Sequence, residues 1–219
     1  ELGNRKIGES KVDLITNNEE GERLVRNSET NLGNLCSDSL RFITNADVSY
    51  VNGGGLRAPI KAGDITFNDI YSVLPFNNRI VTAEITGQVL LDMLEMSIVS
   101  YPQEAGAFPH MSGVTFSVDK SIPSSVKVDE NGFFESVEGE YRVYDLKILD
   151  KESGTYKPVE LDKKYVFSSS DYYIINFGSG MSMFKGAKVV ESEGMLDVEV
   201  LEMYITDNLN GVIGEEYKN

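Results

Sequence analysis

Three consecutive glycines, Gly53 to Gly55, follow directly on the apolar run "ADVSYVN". Glycine loses more backbone freedom on folding than any other residue, so a triplet is kept only where geometry demands it. Asn52 stands before the triplet and Arg57 just after it, in "VNGGGLRAP". On these residues alone two readings are open. A glycine-rich loop leaving a strand can point backbone N–H groups into a cleft, with Arg57 as a forked cation for phosphate or a ribose oxygen. The other reading is a tight strand-to-loop turn with a surface arginine.

The flanking pattern predicts the elements around this loop. Leu32, Leu35, Cys36, Leu40 and Ile43 fall at helical spacing, with Ser28 or Thr30 as the cap, and "ADVSYVN" reads as a short buried strand. Thr66 with Asp69 three residues on marks the start of a short helix that Pro75 stops. "NNRIVTAEIT" alternates as a strand, with Ile80, Thr82 and Glu84 on one face and Val81, Ala83 and Ile85 on the other. "TGQVLLDMLEMSIVSY" is an amphipathic helix with apolar Val89, Leu90, Met93, Leu94 and Val99. "KVDLIT", "GVTFSVD", "RVYDLKIL" and "KKYVFSSSDYYI" read as strands, and "ESGTYKPVELD" as turn and loop. Asn131-Gly132 signals a hairpin, and "GMLDVEVLEMYITDNLN" a last helix ending near Asn210-Gly211. This order predicts an α+β fold, a mixed β-sheet covered by helices, rather than a doubly wound parallel sheet.

Composition narrows the function. With Lys plus Arg at 20 and Asp plus Glu at 35, the 219 residues carry a formal net charge of -15. That balance argues against nucleic acid as a partner, since phosphate contacts need clustered Lys and Arg. One cysteine, Cys36, forms no intramolecular disulfide and, among Leu32, Leu35 and Leu40, reads as a buried small hydrophobe. One histidine, His110, and one cysteine cannot build a His-rich or four-cysteine metal site. No run of about 18 apolar residues predicts a membrane span. The start, "ELGNRKIGES", lacks an initiator Met and an apolar leader core, and reads as a piece of a longer chain.

Catalytic signatures are missing: the phosphate loop, the dinucleotide fingerprint and the nucleophile elbow. Aromatics are better placed. Phe108 lies in "GAFPHMSG", and Tyr172 and Tyr173 close the predicted strand "YVFSSSDYY" before "NFGSGMS". Rings on two loops can hold a planar base between them, although each alone also reads as a half-buried core aromatic.

Taken in order, "RNSETNLGNLCSDSL", "VNGGGLRAPIKAGDITFNDIYSVLPFNN", "ITGQVLLDMLE", "GAFPHMSGVTFSVD" and "INFGSGMSMF" resemble the C-terminal domain of the 5'-nucleotidase family, over about residues 20 to 210. That family includes ecto-5'-nucleotidases, UDP-sugar hydrolases and 2',3'-cyclic-nucleotide phosphodiesterases. The resemblance implies an upstream metallophosphoesterase domain with two divalent metals and a catalytic His-Asp pair, where metal-activated water attacks phosphorus. Residues 1–20 would continue from that domain, and 21–219 would be the substrate-binding domain. It also implies a nucleotide or nucleoside ligand, an extracellular, periplasmic or cell-surface setting in a bacterium, and no hydrolysis by this chain alone. A related 2',3'-cyclic-nucleotide phosphodiesterase/3'-nucleotidase or UDP-sugar hydrolase, or a non-catalytic binding module, are the alternatives.

Carried over residue by residue, Asn52, Gly54 and Arg57 match the N-G-G-G-x-R motif, and Arg26 an arginine that holds the sugar-phosphate part. Phe108 matches one stacking aromatic, and Tyr173 falls where the second is expected. The departure is in "NFGSG": Ser179 replaces an acid that binds ribose hydroxyls, and Phe177 replaces a glycine. His110 reads as a loop hydrogen-bonder without a catalytic role.

Overall fold

The computed structural model describes residues 2–191 and 194–218. Its first strand, β1 (Lys6–Ser10), precedes the predicted one. Within "KVDLIT" only Leu14 pairs, in a single antiparallel bridge to Ile60. Helix α1 (Asn31–Thr44) starts where Thr30 accepts the Gly33 N–H at 3.1 Å, which settles the choice of cap. The chain continues through β2 (Val48–Asn52) and β3 (Gly63–Thr66) into α2 (Phe67–Val73). The start of α2 is a reciprocal capping box, with the Thr66 N–H donating to Asp69 at 2.7 Å. Strand β4 (Ile80–Thr86) runs into α3 (Gly87–Ser97), capped by Thr86. Val99 lies past that end and is exposed.

The middle of the chain is β5 (Pro109–Ser112), β6 (Val114–Val118), β7 (Val126–Val128), β8 (Phe134–Val137) and β9 (Val143–Asp150). Strands β7 and β8 form the hairpin signalled by Asn131-Gly132. The segment read as turn and loop contains a strand, β10 (Thr155–Pro158), exposed along its whole length on the edge of its sheet. Full exposure leaves no alternation of polar and apolar residues to signal it. Strand β11 (Lys164–Ser170) ends before Tyr172 and Tyr173, which belong to a helical turn, α4 (Asp171–Ile174). Last come β12 (Lys188–Glu191), α5 (Asp197–Met203) and β13 (Val212–Ile213). A π-turn over Tyr204–Asn208 continues α5, and the chain turns away at Asn210 and Gly211, both at positive φ.

The central sheet has five strands in the order β12-β4-β11-β2-β5. Only β2 and β11 run parallel; the other pairs are antiparallel. This is the mixed sheet expected. Its two faces bury different cores. Val81, Ala83 and Ile85 pack with Leu90, Met93 and Leu94 of α3, whereas Ile80 packs with Leu40 of α1 and Val200 of α5. The alternation read in β4 is therefore a face assignment. Two three-stranded sheets, β13-β1-β3 and β10-β9-β6, flank this layer.

The topology brings four connections to one end of the central sheet. Parallel strands β2 and β11 both finish there, at Asn52 and Ser170; antiparallel β4 and β5 both begin there, at Ile80 and Pro109. The triglycine loop, α4 with the "NFGSG" loop, the segment before Ile80 and the segment before Pro109 must meet.

One of these segments is held by a buried arginine. Arg142 donates from Nη1 to the Ile98 carbonyl at 3.0 Å and from Nη2 to the Tyr101 carbonyl at 2.8 Å. It thereby anchors the chain between α3 and β5. The fully buried Glu95 carboxylate accepts the Val143 N–H at 2.6 Å and lies in the field of Arg142. Removing Arg142 leaves the Ile98 and Tyr101 carbonyls without these donors, and an unmet buried acceptor costs about 1 to 3 kcal/mol. Arg142→Ala is expected to lower the unfolding free energy in urea by about 2 to 5 kcal/mol. A loss near zero would contradict the anchoring role.

Candidate functional site

Gly53, Gly54 and Gly55 form a single 3-10 turn at the end of β2. None is at positive φ, so conformational freedom is not why they are glycine. Close approach is. A Cβ on Gly53 would sit 1.7 Å from the Val25 carbonyl oxygen, and one on Gly54 2.9 Å from Gly106 Cα. Across these contacts the backbones bond. The Gly53 N–H donates to Phe108 O at 2.8 Å and the Gly54 N–H to Gly106 O at 2.9 Å. The Asn52 side-chain amide donates to Gly106 O at 2.8 Å, and the Ala105 N–H to Arg26 O at 2.8 Å. Three distant segments are thus locked into one frame.

Above this frame is a cleft of about 480 Å³. Of the residues expected from sequence, it brings together Arg26, Asn52, Gly54, Tyr173 and Ser179. Arg57 and Phe108 are not in its lining. Arg57 is exposed just outside; it donates to Gly54 O at 3.3 Å, and its guanidinium lies 5.8 Å from the Phe76 ring centre. Phe108 packs on Tyr101 and His110, with ring centres 6.2 and 5.7 Å away, and lines a separate hollow. Phe76, Asn78 and Tyr172 also line the cleft. Phe76 and Asn78 were singled out by no sequence argument, although both lie in the "VLPFNN" stretch.

The two tyrosines divide their roles. Tyr173 is 1% exposed, and its ring meets Tyr50 edge-on at 5.0 Å. Burial pushes its hydroxyl up to about 12. Tyr172 is 46% exposed and meets Tyr173 edge-on at 4.8 Å. It lies over Gly178, where a Cβ would come within 2.1 Å of a ring carbon. The open aromatic surface of the cleft is therefore Tyr172, with Phe76, 57% exposed, as the other open ring. The "NFGSG" loop that supports Tyr172 is strained, with Phe177 at φ 53° and Ser179 at φ 55°. Such left-handed conformations cost a side-chain-bearing residue about 1 kcal/mol or more.

Electrostatics set the cleft apart from the rest of an acidic chain. Among the described residues no carboxylate lines it. Arg23 is engaged by Glu104, with Nε donating to Oε2 at 2.8 Å, but Arg26 forms no ion pair among the described residues. Partial burial, with Arg23 and Arg57 nearby, lowers the proton affinity of Arg26. Glu104 neutralises Arg23 and its field also reaches Arg26, so the local surplus of positive charge is that of Arg26 and Arg57, which favours an anion. His110 is buried on β5, where its Nε2 donates to Val25 O at 2.8 Å and Nδ1 faces Gly33. Burial holds its ring neutral by lowering its proton affinity. Cys36 is fully buried and its thiol is pushed up by burial. Among the described residues no group of three or more His, Cys, Asp or Glu is placed to hold a metal.

Behind the cleft, burial raises the Asp197 carboxyl from 3.8 to about 6. As pH falls through about 6 the native state takes up this proton before the unfolded chain does. The group therefore costs stability above its folded pKa, and the cost disappears as pH falls toward the unfolded value. Asn does not titrate, but with one acceptor it loses one of the two N–H bonds that Asp197 accepts. The urea unfolding free energy of Asp197→Asn relative to wild type is expected to become less favourable as pH is lowered from about 8 to about 5. A difference independent of pH would contradict the assignment.

Comparison with known proteins agrees with this architecture. Residues 6–186 match the family described as 5'-nucleotidase, C-terminal domain. A 5'-nucleotidase of Vibrio parahaemolyticus is 33% identical over 203 residues, which are 92% of this chain and 30% of that protein. The trifunctional nucleotide phosphoesterase protein YfkN of Bacillus subtilis is 28% identical over 205 residues, 91% of this chain and 12% of that protein. The crystal structure of a 5'-nucleotidase precursor from Thermus thermophilus superposes with a TM-score of 0.80 at 30% identity, covering 97% of this chain and 38% of that one. The chain thus spans a minor part of the length of these relatives, and it belongs to the family of 5'-nucleotidase C-terminal domains.

Proposed function

We propose that this chain is the substrate-recognition domain of a phosphohydrolase that cleaves nucleoside phosphates to nucleoside and phosphate. The observation that carries the reading is the cleft itself: an open tyrosine face, an arginine, side-chain amides and a hydroxyl, and among the described residues neither an ion-pair partner for that arginine nor a carboxylate in the lining. A nucleobase lies on Tyr172, since a stacking partner must offer a free ring face and Tyr173 offers none. The phosphate end lies toward Arg26, with Arg57 at the rim. Asn52 shapes the floor by holding Gly106, and Ser179 offers a neutral hydroxyl to the sugar.

The chemistry belongs to a dimetal domain elsewhere in the parent protein, which this chain's place in longer relatives supports. Its own residues bind, orient and exclude water. A second reading, a 2',3'-cyclic or 3'-phosphorylated nucleoside as substrate, is favoured by the lack of any carboxylate that would repel phosphate on the sugar. An extracellular, periplasmic or cell-surface location is part of the proposal. No helix among the described residues is long and apolar enough to cross a membrane.

Calorimetric titration with adenosine, 5'-AMP and 3'-AMP tests the reading. Tyr172→Ala is expected to weaken all three by about tenfold, the scale of one stacked base. Tyr173→Phe should change little, and Arg26→Ala should weaken the phosphates more than adenosine. The purified chain should release no phosphate from either nucleotide with added divalent metal. Tyr172→Ala binding like wild type, or phosphate release by the chain alone, would contradict this account.

A further inference from the structure

Asp197 opens α5 and is 5% exposed. Its Oδ1 accepts the Val198 N–H at 2.8 Å, and its Oδ2 accepts the Asn78 side-chain amide at 3.2 Å. Its own N–H donates to the Asn78 carbonyl at 2.9 Å. Two bonds running in opposite directions therefore tie α5 to the residue two positions before β4. Asn78 lines the open cleft, and it also lines a small cavity of about 30 Å³ behind it, together with Asp197. Asn52, Gly55 and Asn78 border both spaces and form the wall between them.

An ionised carboxylate has acceptors only, so it selects the NH₂ end of the Asn78 amide. The amide oxygen is then turned away from Asp197. We infer that Asp197 is a positioning residue for the cleft: its buried carboxylate fixes the Asn78 side chain so that the amide oxygen accepts a hydrogen from an amino or hydroxyl group of the bound nucleoside. This rests on the nucleoside reading above. A carboxylate that costs stability at neutral pH yet stands directly behind a ligand cleft has the profile of a functional group rather than a packing one.

Charged and titratable groups around Asp197 come from α1, α4, α5 and the segment before β4. Asp171 of α4 adds to its proton affinity. On α1, Cys36 stays a thiol, and Asp38 is engaged by Ser112 and Tyr217. Arg79, next to Asn78, donates its guanidinium to Gly194 O at 2.8 Å, and Glu199 on α5 accepts the Leu196 N–H at 2.9 Å.

Two measurements on the 219-residue chain test the inference. Adenosine affinity is followed from about pH 8 to about pH 5, and the Asn78 side-chain amide is followed by NMR without ligand. Wild type should lose about threefold to tenfold in affinity as pH falls through that range, the scale of one hydrogen bond, while the Asn78 resonances shift with the same midpoint. Asp197→Asn and Asn78→Ala should each bind weakly with a flat pH profile, and the double variant should lose no more than either alone. Should Asp197→Asn fail to fold, Asn78→Ala decides: a flat profile supports the inference and a wild-type slope overturns it. Variants that keep wild-type affinity and slope, or Asn78 resonances indifferent to pH, also overturn it while the nucleoside reading stands. A wild type that binds no adenosine at any pH overturns both.

Discussion

The close approach of Gly53 to the Val25 carbonyl is the constraint on which the functional end of the fold depends. A side chain there would collide with backbone, which cannot move aside as a flexible side chain can. Because the contact is allowed, β2 can hand its N–H groups to the segment before β5, while that segment bonds back to Arg26. The parallel pairing of β2 with β11 then sets the "NFGSG" loop opposite. The cleft is the gap left between these connections, and its lining follows from the sheet order.

Much of this was legible in the residues. Helix α1 announced itself by apolar spacing, α2 by its capping box, and the two faces of β4 by alternation, because each signal is local. The short strands β1, β10 and β12 carried no such signal; β10 and β12 lie at sheet edges, and β10 is exposed throughout. The triglycine was readable as special, but its cause was not: the atoms that Gly53 and Gly54 avoid belong to Val25 and Gly106, distant in sequence. The choice between Tyr172 and Tyr173 was likewise hidden. Adjacent side chains on a helical turn point in different directions, and which one meets Tyr50 is decided by tertiary packing. Phe108 shows the same limit, since its ring turns toward Tyr101 and His110.

Charge gives the site its character. The chain is acidic overall, yet its cleft contains a half-buried arginine and, among the described residues, no acid. Fields in a cleft with low-dielectric walls are focused rather than averaged over the surface, so a local cation outweighs a distant net charge for a ligand inside. Strain accompanies this arrangement. Phe177 and Ser179 hold left-handed backbone in the loop beneath Tyr172, and Asp197 keeps a carboxylate buried behind Asn78. Each lowers stability at the candidate cleft, and relaxed local rules of this kind are expected at working sites.

The most direct measurement is where a nucleotide sits. Intermolecular NOEs between the base protons of 5'-AMP and the isotope-labelled chain report this without reference to activity. The account predicts contacts from the base to the Tyr172 ring, with shift changes at Arg26 and Gly54. Contacts confined to the hollow beside Phe108, or a base against neither ring, would contradict it.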